Sequence, residues 1–452
     1  MKKKIPIELL LISLFAIFQL NMMACSVYTD SRAGWIGNWY NVKIITMSLG
    51  FLSFSLSRRL TESIPVRRIM LFLGNMVYSG GLLILMLCDH TGIDPIVALA
   101  VMYALGYVGG AVYYYMSVGV FSHSRGGLIL AAGAALAYII HYILWVRVKQ
   151  DAIMLTVMIA SFCLITFVVI NPAKDWMFMD PLPYSADDKT LREGNKREII
   201  LAIYTTLIIM ICTSRVGTLL LQSYAANSGA MYGISRLFVA LPYFLMGFLI
   251  DRKKNELRFA CVILAVIMIT WIPSGMAESP AFLYIYWFFT GVLYSYIIFT
   301  FLRIAPKTGH CELWASFFRI AMIFDGLIGL ILSKVDLNDM TSSFILSSLI
   351  SIGIMGLVLM YFFFLRQKSP EAVPSGEHTD TAMQDKIDDM AGKYNLTPRE
   401  RDVLALLMVK PDAQVSRLAE ELGISRTMMY RYLNKLYEKT KTGNKDELTG
   451  LF

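Results

Sequence analysis

The chain has 452 residues, of which 56% are hydrophobic and 16% charged, with a formal net charge of +8. That balance excludes an ordinary soluble domain and a disordered chain, and points to a polytopic membrane protein. Cys25, Cys88, Cys163, Cys212, Cys261 and Cys311 form no CxxC pair, and no phosphate-binding Gly-rich loop or Ser/His/Asp grouping is present. Neither a metal site, a disulfide framework, a cofactor nor an enzymatic activity is expected.

Met1-Lys2-Lys3-Lys4 precedes a first apolar run. Met23-Ala24-Cys25 resembles a lipoprotein cleavage site, but the run is long enough to span a bilayer and reads as a membrane helix. Hydropathy predicts six spans near Ile5–Val27, Ile36–Ser57, Ile69–Cys88, Pro95–Val120, Gly127–Val146 and Ala152–Asn171. A polar loop, Pro172–Glu198, follows. Six more spans are expected near Ile199–Gln222, Met231–Ile250, Phe259–Pro273, Ala281–Arg303, Leu313–Ser333 and Thr341–Leu365, the ninth being short. The expected architecture is all-α, a membrane domain over 1–366 with halves 1–171 and 199–366 joined by the loop 172–198. Basic residues gather on one side of these spans: Lys2 to Lys4, Arg58, Arg59, Arg67, Arg68, Arg125, the central loop, Arg252 to Lys254, Arg303, Lys307, Arg366 and Lys368. The positive-inside bias then places both termini in the cytoplasm of a multi-pass protein of the cell membrane.

Between the eighth and ninth spans stands Gly247-Phe248-Leu249-Ile250-Asp251-Arg252-Lys253. The loop between the second and third spans keeps basic residues but lacks the Gly and Asp. Six plus six spans with a Gly-x-x-x-Asp-Arg-x loop resemble the major facilitator superfamily. That resemblance implies two halves moving about a central cavity, with the third, sixth, ninth and twelfth helices facing lipid.

Ionisable residues inside spans are costly and usually mark a cavity or a pair. Lys43, His141, Arg215, Arg236, Arg319 and Asp325 are such residues. Lys43, Arg215 and Arg236 lie at similar depth, with Asp325 the one acid expected to offset them. The expectation is an outward vestibule for a small anionic solute, a carboxylate or phenolate, with rings from Tyr103, Tyr107, Tyr113, Tyr114, Tyr115, Tyr286, Trp287, Tyr294 and Tyr296 nearby. The plainer alternative for Lys43, Arg215 and Arg236 is snorkelling to the outer surface. Titratable membrane carboxylates other than Asp325 are scarce, which favours a receptor over a proton-coupled pump.

Residues 367–393 are polar, with Pro370, Pro374 and Gly376, and read as a linker. Met383, Ile387 and Met390 stand at helical spacing within it. The last stretch, 394–452, changes character. Thr397-Pro398-Arg399-Glu400 starts a helix with a capping box, followed by Val403, Leu404, Leu406 and Leu407. Pro411-Asp412 ends it. Val415, Leu418, Ala419 and Leu422 share a second helical face, Gly423 closes it, and Ser425 caps a third helix. That helix buries Met428 or Met429, Leu433 and Leu436. Its other face presents Arg426, Thr427, Tyr430, Arg431, Asn434 and Lys435. Two helices joined by a Gly-containing turn, the second one basic, form a helix-turn-helix.

Leu396-Thr397-Pro398-Arg399-Glu400-Arg401, then Leu418-Ala419, Leu422-Gly423-Ile424-Ser425, Lys439 and Glu447-Leu448, resemble the four-helix LuxR-type DNA-binding domain. The resemblance implies double-stranded DNA as partner, contacts from Ser425, Arg426, Thr427, Tyr430, Arg431, Asn434 and Lys435, and a homodimer on DNA. Met428 and Tyr432 depart from the family's usual residues. Arg426, Arg431, Lys435, Lys439, Lys441 and Lys445 suit phosphate contacts.

The whole predicts a membrane-bound one-component regulator. Two other classes remain open: a transporter with a regulatory DNA-binding tail, and a membrane scaffold whose tail binds a protein.

Overall fold

The computed structural model describes residues 7–61, 63–87, 92–120, 125–148, 150–170, 189–223, 233–252, 254–270, 280–308, 310–335, 340–365, 387, 389–390, 393–394, 396, 398–409, 415, 418–419, 422 and 426–449. The chain divides into two compact units, 1–366 and 367–452.

Among the described residues the first unit holds twelve α-helices: α1 (Ile7–Ala33), α2 (Trp39–Leu60), α3 (Ile64–Leu87), α4 (Asp94–Val120), α5 (Gly126–Tyr142), α6 (Asp151–Ile170), α7 (Lys189–Ser223), α8 (Ala240–Asp251), α9 (Asn255–Thr270), α10 (Pro280–Ile304), α11 (Cys311–Leu332) and α12 (Met340–Leu365). Ten helical stretches are long and apolar enough to cross a bilayer. The other two helices are α2, which carries Lys43, Arg58 and Arg59, and α9, of 16 residues. Both lie in the same bundle. Prolines sit where a helix starts, as at Pro65 and Pro280, because the missing N–H is unpaired there anyway. α7 begins at Lys189, so the end of the expected loop Pro172–Glu198 is helical. Its Lys-, Leu-, Arg- and Glu-rich sequence supports that extension. Residues 171–188 lie outside the described set.

The eighth span differs from the continuous helix that hydropathy suggests. Ile234–Val239 is a tight three-residue-per-turn helix, and α8 follows it. Gly233 enters with extended backbone, and Pro242 has no N–H to donate to the carbonyl four residues back. The sequence therefore cannot wind as one regular helix there. α5 similarly gives way to a wide π-type turn over Ile143–Val148.

Central and peripheral helices separate by exposure. Of the most apolar stretch, 22% is buried in α12 and 39% in α3 and α6, against 72% in α4 and α10. Phe344, Ile345, Leu349 and Ile352 on α12, and Ile69, Phe72 and Leu73 on α3, are exposed. In a bilayer such faces meet lipid, where apolar exposure carries no cost.

One end of the bundle, termed the near end, is where α1, α3, α5, α7, α9 and α11 begin. There the two six-helix halves are cross-braced. Asp251, at the end of α8, accepts hydrogen bonds from the backbone N–H groups of Gly127 (2.7 Å) and Leu128 (3.0 Å) at the start of α5. These are orphan helix donors, and the carboxylate also meets the positive end of the helix dipole. α5 and α8 approach closely: a Cβ on Gly127 would fall 2.4 Å from the Gly247 carbonyl oxygen. Glycine is required at that crossing. The second brace joins α2 to α11, with Arg59 Nε 3.1 Å from Glu312 Oε1 and Ser55 donating to the Glu312 carbonyl at 3.1 Å. Asp251→Ala removes two charge-assisted bonds, and we expect a loss of about 1–2 kcal/mol. Thermal unfolding of the purified protein in detergent measures it; an unchanged midpoint would rule out a stabilising brace.

The second unit contains α13 (Pro398–Val409), α14 (Arg426–Thr440) and α15 (Lys445–Thr449). Val403, Leu404, Leu407, Leu418, Ala419, Met429, Leu433, Leu436 and Leu448 form its core, with Met390. Ile387, inside the stretch expected to be linker, is also buried. Glu400 is buried and accepts from Lys439 Nζ at 2.7 Å, tying α13 to α14. Lys441 ends α14 in the left-handed region, and the Thr442 N–H bonds the Tyr437 carbonyl at 3.0 Å. Asn444 and Glu447 then form a capping box for α15: Asn444 Oδ1 accepts from Glu447 N–H (2.8 Å), and Glu447 Oε2 accepts from Gly443 N–H (2.6 Å). Met383, Thr397, Pro411, Asp412, Gly423, Ile424 and Ser425 lie outside the described residues.

Candidate ligand cavity and DNA-binding module

A cavity with about 1030 Å³ of empty space opens between the two halves, on the side of the bundle away from the braces. Its walls come from α1 (Gln19, Ser26), the first turns of α2 (Tyr40, Lys43), α5 (Tyr138), the tight helix before α8 (Arg236), α10 (Tyr286, Trp287, Tyr294) and α11 (Arg319). Met22, Met23, Met47, Met102 and Met322 supply adaptable apolar surface. Among the described residues the lining holds three cations and no carboxylate.

Each cation is held differently. Lys43 is 1% exposed and donates to Asp30 (2.5 Å), Ser26 Oγ (2.8 Å) and the Ser26 carbonyl (3.2 Å), with Tyr40 5.3 Å from its Nζ. The acid that offsets a cavity cation is thus Asp30, not Asp325. α1 runs on to Ala33, past the expected end at Val27, and this extra length brings Asp30 back onto Lys43. Arg236 lies over Trp287 (5.3 Å) and Tyr138 (5.9 Å), an arrangement in which ring faces attract the cation. Arg319 is 4% exposed. It donates to the Tyr113 hydroxyl at 3.0 Å and reaches Gln19 Oε1 at 3.4 Å, while Gln19 Nε2 lies 3.2 Å from the same hydroxyl. This triad joins α1 and α4 of the first half to α11 of the second.

The other expected ligand residues lie elsewhere. Asp325 accepts from Ser214 Oγ at 2.5 Å in a smaller adjoining pocket that shares Tyr40, Gly217, Tyr286 and Tyr294 with the main one. Arg215 turns away, donating to the Thr270 carbonyl (2.7 Å) and Ser347 Oγ (2.8 Å) against α9 and α12. His141 is buried behind the wall, its ring stacked 6.5 Å from that of Trp145. Among the named aromatics, Tyr103 is exposed, Tyr107 packs on Phe54, and Tyr114 lies under Arg58, while Tyr115 is fully buried. The sequence reading missed Gln19, Asp30, Tyr40, Tyr138 and Tyr243. The mid-span amide of Gln19, and Ser26 and Asp30 one turn apart, were the available signals.

On the module, α14 exposes Tyr430, Arg431, Asn434 and Lys435 and buries Met429, Leu433 and Leu436. The face expected to meet DNA is therefore turned outward over the described part of the helix. Arg426 and Thr427 begin α14. Their side chains, and all of Ser425, fall outside the described set. Lys439, expected at phosphate, is engaged with Glu400.

Two six-helix halves around a polar cavity, with a separate helical module, define a multi-pass membrane protein of major-facilitator-like fold carrying a transcriptional-regulator domain. Residues 390–440 match the family model for the sugar-specific transcriptional regulator TrmB. That is a helix-turn-helix match, but not the LuxR-type family that the opening run of the module resembles. Among solved structures, the human organic anion transporter MFSD10 (TETRAN) is similar at 13% identity and TM-score 0.51, over 78% of this chain and 100% of that one. The nucleoside transporter NupG is similar at 10% identity and TM-score 0.49, over 79% of this chain and 99% of that one. No curated protein matches the chain.

Proposed function

We propose that the chain is a one-component transcriptional regulator of the cytoplasmic membrane, with both termini in the cytoplasm. A small organic anion enters the cavity from outside, and the helix-turn-helix binds promoter DNA, with no catalytic step. The observation that carries this reading is the joining, in one chain, of a cationic, ring-lined cavity and a transcriptional-regulator domain.

The charge of the cavity supports an anionic ligand. A neutral sugar would stack on Trp287 and Tyr286 but would bring no charge to a lining whose described residues include Arg236 and Arg319 beside the Asp30-paired Lys43, and no carboxylate. A carboxylate or phenolate can take bidentate bonds from a guanidinium. The printed description of the fold neighbour as an organic anion transporter agrees with this. The "sugar-specific" of the family model then fits best as an acidic sugar. Paired modules on a palindrome, as the LuxR-type resemblance implies, would gain affinity by effective concentration. Ligand acts only if it binds two arrangements of the halves unequally.

The test is genome-wide DNA occupancy of the full-length protein, with and without a panel of aromatic and sugar carboxylates. A few promoters whose occupancy changes with one class of anion is the expected result. No promoter occupancy across the panel, in cells that make the protein, would sink the reading. The cavity between braced halves also favours a second reading, a transporter whose tail regulates its own expression. Accumulation of the same labelled anion by cells or vesicles would establish that instead.

A further inference from the structure

A second polar crevice lies at the near end, within the second half, and shares no lining residue with the main cavity. It has about 420 Å³ of empty space and is lined by Glu198 of α7, Asn255, Arg258 and Phe259 of α9, Tyr296, Thr300 and Arg303 of α10, and Tyr361 of α12. Tyr296, Thr300 and Arg303 are four and three residues apart, on one face of α10. Phe259 and Tyr361 stack at 4.0 Å and form an aromatic wall.

Arg258 is the residue that needs explaining. It is 2% exposed, yet only neutral oxygens hold its guanidinium: Asn255 Oδ1 at 3.2 Å and Thr300 Oγ1 at 3.0 Å. Its Nε is buried without a hydrogen-bond partner. Its charge also sits over the Tyr296 ring at 5.2 Å. Arg303 binds Glu198, the one carboxylate among the described lining residues, and its own Nε is buried without a partner. Two guanidinium groups thus share one acid, and the start of α9 adds the positive end of a 16-residue helix.

The first half provides an internal comparison. Arg67 is the fourth residue of α3, as Arg258 is of α9. Arg67 donates to the carbonyls of Thr61 (2.6 Å) and Arg58 (2.8 Å), at the negative end of α2. Among the described residues no backbone carbonyl accepts from the Arg258 side chain in this way. A buried guanidinium and a part-buried one held by one carboxylate are costly, and ionisable groups kept inside a membrane domain often mark a ligand site.

We propose that this crevice is an oxyanion site that takes a phosphate group, with Arg258 and Arg303 as the fork, Thr300 and Asn255 as orienting groups, and the α9 N-terminus behind them. It is separate from the main cavity. The phosphate can come from a lipid headgroup at the bilayer surface or from a soluble phosphorylated solute. The chemistry is shared, and the test separates the sources.

The experiment is the thermal unfolding midpoint of the full-length protein in nanodiscs. One arm uses phosphatidylcholine discs titrated with inorganic phosphate or glycerol phosphate. The other replaces part of the lipid by phosphatidylglycerol, without added phosphate. A rise in the first arm identifies a soluble phosphate compound; a rise in the second alone identifies a headgroup. Either rise must survive R319Q, which alters the main cavity, and must weaken in R258Q. R258K and R303Q serve if R258Q does not fold. Losing the planar fork in R258K should weaken apparent affinity roughly tenfold. The proposal is overturned if neither arm raises the wild-type midpoint, if R319Q abolishes the rise, or if R258K and R303Q respond as wild type does.

Discussion

Replacing Arg431 by Glu in the full-length protein should lower promoter occupancy about 100-fold, with the amount of protein in the membrane unchanged. Arg431 is exposed on α14, and its neighbours on that face, Tyr430, Asn434 and Lys435, are exposed too. Loss of one base or phosphate contact costs about 1–3 kcal/mol, and a carboxylate in its place adds repulsion from the DNA backbone. The hydrophobic core of the module lies on the other side, in Met429, Leu433 and Leu436, so folding should not suffer. Arg431→Gln should fall between the two, roughly tenfold down. Chromatin immunoprecipitation at a bound promoter reads both. Equal occupancy for wild type and Arg431→Glu would turn attention to a protein partner for the module.

The second large effect is expected at Asp30. Among the described residues its carboxylate is the one acid against Lys43, whose side chain is 1% exposed, while Asp30 itself is 29% exposed. Removing one member of a buried pair leaves a stranded charge, so Asp30→Asn should cost about 3 kcal/mol, the lower end for such a break because Asp30 is partly solvated. Lys43→Met removes the stranded charge and keeps the volume. The double variant should therefore recover most of the loss. Thermal unfolding of the four proteins in detergent gives the double-mutant cycle. Additive losses would mean that the pair is not coupled and that Asp30 acts elsewhere.

The helical membrane domain is legible in the sequence because apolar runs of bilayer length have few other uses; ten of the described helical stretches are such runs, and α2 and α9 are not. The peripheral place of α3, α6 and α12 follows from the superfamily resemblance, and their exposed faces agree with it. The rotation of the central helices is not legible. α1 and α4 are apolar on nearly every face, so periodicity does not say which side turns inward. That is why Gln19 and Tyr113 escaped notice as partners of Arg319. For Arg215 on α7, depth along the span set it level with Lys43 without giving its direction, and the structure turns it towards α9 and α12. Asp30 was missed for a different reason: hydropathy ends a span where charge begins, whereas the helix itself continues. On the module the spacing of Met429, Leu433 and Leu436 did fix the exposed face, since a helix that is polar on one side has a readable period.

The bond from Arg319 to the Tyr113 hydroxyl has a consequence for how the proposed regulator would measure concentration. Arg319 has an oxygen acceptor supplied by the protein itself. An incoming carboxylate would have to displace that phenol. The number of hydrogen bonds would hardly change, and the gain would be the difference between a neutral acceptor and a charged one. Tyr113 is in that sense a tethered competitor. In the proposed regulator it would set a detection threshold and discard neutral solutes that bind no better than a phenol.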